Sequence, residues 1–284
     1  MITNRKLLGF IFLLILGTAG PLAADLRFEL GFGWTLVGPL MNTTYVNQYT
    51  PTLTPPDRYI SSSASQTVRV KGKTTPGMNG FFNILITENI GLQVLADYHR
   101  PRIGGSNANY DVAMSFSAFE PETYTNSTEW PTSNGNFTET AFSLNALARF
   151  RVASNLSLSV SGGPSVFHME GKGGYIGYTF FELANVDDQW VLSGGTYRMI
   201  FEFGSQTTYG MNIGVEAAYE AFRHVILAFD TRWYGSPKKD VDLHIVEDEV
   251  ITHPIAEIED TIGLGTLRIN PSYFRAGLAV RFIF

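Results

Sequence analysis

Apolar residues alternate one by one with polar or small residues along several segments of this chain. In residues 26–36 every even position is apolar, while the odd positions hold Arg, Glu, Gly or Thr. A strand places such residues on two opposite faces, whereas a helix would spread them around its axis. The pattern therefore predicts β-structure with one apolar face and one polar face.

The same alternation recurs in seven more segments, so eight strands are expected. The apolar faces of the eight begin at Leu26, Phe82, Ile90, Phe142, Leu156, Tyr209, Val225 and Phe274. A soluble sandwich also alternates, but it would pack its apolar face in a core and expose its charges. Here the apolar faces are nearly complete, the opposite faces combine charges with Gly and Ser, and the runs are of a length that crosses a bilayer as a tilted strand. Aromatic residues at both ends of the runs resemble interfacial girdles and favour a membrane barrel, namely Trp34, Tyr98, Trp233 and Phe274 at one end and Phe28, Phe150, Tyr219 and Phe284 at the other.

The connections between these segments alternate strictly between long and short. Short turns are expected at 87–89, 153–155 and 221–224, and long polar stretches at 38–79, 100–139, 168–208 and 235–272. This order predicts an all-β, eight-stranded antiparallel up-and-down barrel with periplasmic termini and long extracellular loops. In the third long stretch, residues 197–203 keep the odd parity of 209–219, which predicts a protruding hairpin that turns near 185–189. The alternative is ten strands, with 197–203 as a separate span.

The N-terminal segment has the features of a targeting signal. Arg5 and Lys6 precede an apolar run over 7–16, and small residues lead up to Ala24. The run is shorter than the roughly 20 residues that a spanning helix needs. We therefore expect a cleaved signal peptide over 1–24 and a single barrel domain over 25–284. The net charge of −6 offers no basic surface for nucleic acid, and the absence of Cys excludes disulfides and Cys-based metal sites.

The signal segment, the eight alternating runs and the last strand, which ends in Phe284, together resemble small bacterial outer-membrane β-barrel proteins. OmpA-type and OmpW-like small barrels are the comparison, without the periplasmic domain of full OmpA proteins. The resemblance implies a Gram-negative outer-membrane location, contact with outer-membrane lipid, and recognition of the terminal strand by the outer-membrane assembly machinery.

Twelve charged or titratable residues fall on the faces predicted to line the lumen. An eight-stranded barrel is barely wide enough for its own side chains, so their pairing decides whether anything passes. A mutually paired plug is the favoured interpretation; the alternative is a gated conduit in which pairs such as Glu29 and Arg281, on neighbouring strands, exchange partners. The twelve residues are Arg27, Glu29, Asp97, His99, Arg149, Arg151, Glu216, Glu220, Asp230, Arg232, Arg275 and Arg281.

The sequence lacks common motifs of enzymes and metal sites. No His-Glu-x-x-His, Gly-x-Ser-x-Gly or phosphate-loop motif is present. Ser165 and His168 form the nearest Ser and His pair but fall on opposite faces of one strand, and His99 beside Asp97 is interpreted as a member of the charge network. The acidic stretch 235–272 has no EF-hand spacing and is expected to face water. The chain is thus predicted to have no catalytic residues, cofactor or metal.

The predicted function is that of a non-enzymatic outer-membrane barrel that acts through its large loops, with porin-like passage of small solutes as an accompanying role. An extracellular ligand or a host surface is the expected partner of the loops. One alternative is a lateral conduit for small hydrophobic molecules, which a long apolar channel from the outer rim would favour. The other is a lipid-modifying enzyme, which a Ser and a His within hydrogen-bond distance would favour.

Overall fold

The computed structural model describes residues 26–49, 52–53, 60–116, 133–186, 189–248, 262–263 and 266–284. The expected signal peptide over 1–24 lies outside these residues. Within the described ranges, no helix is long and apolar enough to cross a membrane.

Eight antiparallel strands close into a ring, in which each strand pairs with its neighbours along the chain and the last pairs with the first. This confirms the eight-stranded up-and-down barrel. The ten-strand alternative is wrong, because residues 197–203 belong to one continuous strand that runs on into the barrel. The strands are β1 (Arg27–Pro39), β2 (Thr75–Leu85), β3 (Ile90–His99), β4 (Ser133–Ala153), β5 (Leu156–Val186), β6 (Gln189–Phe222), β7 (Val225–Gly235) and β8 (Tyr273–Ile283).

The two faces of the barrel wall carry the residues that the alternation predicts. Outside, Phe32, Leu144, Ile213, Leu227 and Leu278 are exposed, and so are all eight girdle aromatics. Inside, the wall buries polar side chains that include Gln93, Asn145, Glu216, Asp230 and Arg281. A closed ring with an apolar exterior and a polar interior is the architecture of a membrane-spanning β-barrel, because all its backbone groups pair within the ring and only apolar side chains meet lipid.

We call the end with the short turns, Leu26 and Phe284 the turn end, and the opposite end the loop end. Much of the long connections is itself strand: Asn42–Tyr49, Thr52–Leu53, Ile60–Lys73, Arg102–Phe116, Lys239–Val241, His244–Asp248, Ile262–Gly263 and Leu267–Ile269. β5 and β6 have 31 and 34 residues and remain paired up to Val186 and Gln189. A membrane-spanning strand needs only about 9–11 residues, so this pair forms the protruding hairpin expected from the sequence.

A bulge interrupts the alternation in β6. The register against β5 shifts between Phe203 and Gln206. Phe203 was expected on the same face as Tyr209, yet Phe203 is 5% exposed and Tyr209 is 71% exposed. The expectation was wrong because an extra residue in a bulge reverses which face the following side chains occupy.

Candidate functional site in the barrel lumen

The turn end of the lumen is organised around the buried carboxylate of Glu29 on β1. Arg149 of β4 binds it with two nitrogen–oxygen distances of 2.8 Å, and Arg281 of β8 and Asn83 of β2 each donate to it at 3.0 Å. Arg281 also lies 3.0 Å from the carboxylate of Glu216 on β6. One carboxylate thus holds together strands on opposite sides of the ring through charge-assisted hydrogen bonds.

The middle of the lumen is crossed by a chain of amide side chains. Gln93 donates to Asn83 at 3.1 Å, Asn145 donates to Gln93 at 3.0 Å, and Asn212 donates to Asn145 at 2.8 Å. Arg232 donates in turn to Asn212. All five side chains are buried, so this layer fills the barrel from β2 to β7.

A second charged cluster lies toward the loop end. Arg275 of β8 contacts Asp97 of β3 at 2.9 Å and Asp230 of β7 at 2.6 Å. Arg232 lies 3.7 Å from Asp230, and the hydroxyl of Tyr234 donates to Asp97. The two clusters are joined by the amide layer through Arg232, so paired polar groups extend along most of the lumen.

His99 and Glu139 form a further buried pair near this cluster. Their Nε2 and Oε2 atoms are 3.3 Å apart, and both side chains are 1% exposed. The ring of Tyr273 packs against His99 at a centroid distance of 4.4 Å. Glu139 was not among the predicted lumen residues because the sequence placed it at the end of a loop. Its odd parity with Ser143 and Asn145 was the signal that could have identified it.

Four large apolar side chains, called here the apolar layer, lie buried toward the loop end of the lumen. Phe137, Phe167, Met169 and Phe203 are all buried there. The rings of Phe137 and Phe203 are 6.3 Å apart, and that of Phe167 lies 6.0 Å from the ring of Tyr234. Phe167 and Met169 lie in the same ladder rows as Asp97 and Glu139, so of these four side chains Phe137 and Phe203 lie farther toward the loop end.

The structure places the twelve predicted lumen residues in two environments. Nine are buried: Glu29, Asp97, His99, Arg149, Glu216, Asp230, Arg232, Arg275 and Arg281. Arg27, Arg151 and Glu220 instead line an open depression of about 100 Å³ at the turn end. Arg27 is half-exposed at 3.6 Å from Glu29, and Arg151 is exposed. These three residues thus lie at the turn-end mouth of the lumen, where the strands end and side chains reach solvent, and Arg149 borders the same depression. Their part in the lumen charge network stays a prediction.

The Ser and His residues of β5 occupy opposite faces, as the alternation predicts. Ser165 is buried against Ser143, with 2.8 Å between their hydroxyl oxygens, whereas His168 is exposed. His168 instead lies within hydrogen-bond distance of Ser205 and Thr207 on β6. The alternation does not predict this contact, because the contact depends on the hairpin register and on the bulge in β6.

The acidic stretch near the loop end contributes an exposed ion pair. Asp240 accepts hydrogen bonds from Arg268 at 2.8 and 3.1 Å, and these bonds lower the pKa of the Asp240 carboxyl. Within the described part of the chain, no group of three or more His, Asp or Glu residues could hold a metal ion. The acidic residues at 249, 257, 259 and 260 lie outside that part.

The closed ring, the apolar exterior and the side-chain-filled lumen define this chain as an eight-stranded transmembrane β-barrel protein. Among solved structures it is similar over most of its length to small outer-membrane β-barrel proteins. OprG from Pseudomonas aeruginosa aligns with a TM-score of 0.45 and 8% identity, covering 90% of this chain and 95% of that one. Neisserial surface protein A gives 0.37 and 7%, with 90% and 96% covered.

The outer membrane protease OmpT from Escherichia coli gives a TM-score of 0.37 and 8% identity, with 92% of this chain and 97% of that one covered. No protein-family model matches the sequence, and comparison with curated proteins finds no match either.

Proposed function

We propose that this chain is an integral outer-membrane protein with a closed lumen, and that it acts through the β-structure at its loop end, which faces the cell exterior. The observation that carries the proposal is the continuous filling of the lumen from the Glu29 cluster to the apolar layer around Phe167. Solute passage would need that filling to move, whereas binding at the loop end needs no change in the barrel.

The buried ion pairs favour a plug over a gated conduit. Glu29 contacts Arg149 and Arg281 at once, and Arg275 contacts both Asp97 and Asp230. Removing one partner of a buried pair typically costs about 3–5 kcal/mol. A pore along the axis would break several of these contacts and the amide layer together, so a spontaneous opening has a high free energy.

The loop end offers the surface on which a partner can bind. The hairpin of β5 and β6 extends well beyond the length that a membrane span requires, and the strands Asn42–Tyr49, Ile60–Lys73 and Arg102–Phe116 pair with one another beside it. The proposed partners are an extracellular ligand or a host surface. Outer-membrane lipid surrounds the exposed belt, and the assembly machinery recognises the terminal strand that ends in Phe284.

The lateral conduit for hydrophobic molecules has less support. It calls for a long apolar channel from the rim, but Phe137, Phe167 and Met169 are at most 1% exposed, and the rings of Phe137 and Phe167 pack against Phe203 and Tyr234. The expectation that the chain is not an enzyme stays a prediction. His168 and Ser205 bear on this prediction directly, because they lie within hydrogen-bond distance of each other and a Ser and His pair at that distance favours the enzymatic alternative.

Planar-bilayer recording tests the closed lumen. We expect the refolded wild-type barrel to insert without discrete current steps above the bilayer baseline. Arg27→Ala removes a charge at the turn-end mouth and leaves the buried pairs intact. This variant is also expected to show no discrete current steps. Stable open steps from the wild-type protein, with insertion verified by flotation with the vesicles, would overturn the proposal.

Cysteine labelling tests the orientation. The chain contains no Cys, so single replacements can be labelled without background. A membrane-impermeant maleimide added to intact cells should label Asn185→Cys at the loop end and leave Ser154→Cys at the turn end unlabelled until the cells are opened. The reverse result would place the hairpin on the periplasmic side and refute surface binding.

A further inference from the structure

An exposed cluster of Ser205, His168 and Thr207 lies on the outside of the barrel, apart from the lumen. The Nε2 atom of His168 is 3.3 Å from the hydroxyl oxygen of Ser205, and its Nδ1 atom is 3.3 Å from the hydroxyl oxygen of Thr207. The three side chains are exposed. A hydroxyl next to one imidazole nitrogen, with the other nitrogen held by a third group, is the arrangement of an activated nucleophile.

The bulge in β6 creates this arrangement. Thr207 lies directly opposite His168 in the ladder, while the register shift spans Phe203 to Gln206. The shift buries Phe203 and leaves Ser205 exposed beside the imidazole. Bulges are frequent next to active sites because they redirect a side chain in this way.

The cluster adjoins the apolar belt of the barrel. Val166 precedes His168 by two residues on the same face of β5, about 7 Å along the strand, and Tyr209 lies opposite Val166 on β6. Phe142 lies opposite Val166 on β4. All three are exposed large apolar residues. The hydroxyl and the imidazole thus lie where the apolar belt gives way to polar side chains, at the depth where lipid ester groups are found.

Positive charge and backbone donors lie close to the cluster. The ammonium of Lys239 donates to the carbonyl of Thr207 at 3.1 Å. On the edge of β6 that faces away from β5, residues up to Glu202 pair with His244–Asp248, and residues from Met211 onward pair with β7. Among the described residues, no strand pairs with the part of this edge between Glu202 and Met211. Because the Thr207 carbonyl faces this open edge, the Thr207 amide N–H faces it too, and either donor can stabilise a developing oxyanion or a lipid phosphate.

We propose that Ser205 and His168 form a catalytic dyad that hydrolyses acyl esters of membrane amphiphiles at the loop-end interface, with Thr207 as a positioning residue. The proton of the Ser205 hydroxyl passes to Nε2 of His168 as the oxygen adds to the acyl carbonyl. The alcohol then leaves with that proton, and an acyl-serine remains. Water attacks the acyl-serine and gives a proton to Nε2, the fatty acid is released, and the Ser205 oxygen recovers the proton.

Labelling with a fluorophosphonate probe tests the nucleophile on the full-length barrel refolded in vesicles. We expect the probe to label the wild-type protein on Ser205, and both Ser205→Ala and His168→Ala to abolish the labelling. Ser165→Ala is the matched control, because this serine is buried in the lumen and makes no contact with His168. Labelling that persists in Ser205→Ala would overturn the proposal. So would a wild-type barrel that runs at the position of the folded protein on a gel and yet carries no label.

Acyl release tests the reaction and its substrate. Fatty-acid release is measured from phospholipid vesicles and, in a second arm, from vesicles that contain lipopolysaccharide; release in either arm supports the proposal, and the difference between the arms identifies the source of the ester. Loss of the base in His168→Ala should lower the rate by about 10²–10⁴-fold. Equal rates in wild type and His168→Ala, or no release in both arms, would refute it.

The role of Thr207 is separable from that of the dyad. Thr207→Val should lower kcat and leave KM unchanged, because the valine fills the space without holding the imidazole, and Thr207→Ser should restore kcat. Thr140→Val is the matched control: Thr140 lies opposite His168 on β4 and makes none of the described hydrogen bonds to it. An equal loss of kcat in both valine variants would refute a positioning role.

Discussion

At the scale of single residues, the lumen depends on charges that are shared between distant strands. Glu29 on β1 bridges to Arg149 on β4, across the barrel, and to Arg281 on β8, its neighbour in the ring. Both arginines are buried, with Arg149 bordering the open depression at the turn end, so water replaces the carboxylate only in part if it is lost. The contribution of Glu29 to stability therefore includes the cost of leaving two cations without their partner.

Glu29→Ala should lower the free energy of unfolding by about 3–5 kcal/mol. Urea unfolding in lipid vesicles, followed by tryptophan fluorescence, measures the change. Arg27→Ala is the control: Arg27 contacts the same carboxylate at 3.6 Å but its side chain is 39% exposed, so its loss should cost about 0–1 kcal/mol. Equal effects of the two variants would contradict the burial argument.

The pair of Glu29 with Arg281 can be isolated by a double-mutant cycle. Substitutions of two residues in direct contact have non-additive effects on the free energy of unfolding, and the coupling energy is typically about 0.5–3 kcal/mol. The double variant Glu29→Ala with Arg281→Ala should therefore cost less than the sum of the single variants. Strict additivity in the same unfolding experiment would mean that the 3.0 Å contact contributes nothing to stability.

At the scale of strands, the outward face of β8 determines how the barrel sits in lipid. Leu278 is 67% exposed in the middle of the strand, so Leu278→Arg should cost about 2–4 kcal/mol near the bilayer midplane. Leu40→Arg makes the same exchange beyond the loop end of β1 and should cost about 0–1 kcal/mol. Unfolding in vesicles measures both, and equal costs would show that the belt does not lie where the exposed apolar residues place it.

Close contact between β4 and β5 depends on a glycine. A Cβ atom at Gly163 would lie 2.0 Å from the backbone oxygen of Leu144. Gly163→Ala should therefore push the strands apart and cost more than the about 1–3 kcal/mol of ordinary overpacking. Gly80→Ala on β2, where the nearest atom is 4.0 Å away, is the matched control and should fold normally. The fraction that shows the gel shift of the folded barrel measures the difference, and equal folding of the two variants would argue against this close approach.

The sequence predicted the strands and the face of each side chain better than it predicted the contacts between side chains across the lumen. Period-two alternation assigns each side chain to the lumen or to lipid, and strand adjacency alone places Glu29 near Arg281. The contact from Glu29 to Arg149 depends on the barrel's diameter and tilt, which no local pattern encodes. Glu139 was missed because its strand continues past the point where apolar alternation weakens. Ser205 was missed because a bulge changes the face of a strand without a clear sequence signal.

At the scale of the whole molecule, the barrel and its protruding hairpin are stabilised by different contacts. The ring closes between β1 and β8 and is filled by the lumen clusters, which lie on the turn-end side of Phe203. The hairpin beyond Ile176 and Met199 is a continuation of the β5–β6 ladder. We therefore expect the ladder to depend on the barrel for its register, and the barrel to fold without the ladder.

Shortening the hairpin should therefore leave the barrel intact. In the shortened variant, the two residues Asn-Gly replace residues 177–198. They form a tight turn between Ile176 and Met199, which face each other in the ladder. We expect the same gel shift on folding and a free energy of unfolding within about 1 kcal/mol of the wild type, because every described ion pair of the lumen is retained. The matched control removes Ser154 and Asn155 at the turn end, where the tight turn sets the register of β4 against β5, and should abolish folding. If the shortened barrel also fails to fold, the hairpin is part of the folding unit rather than a surface carried by it.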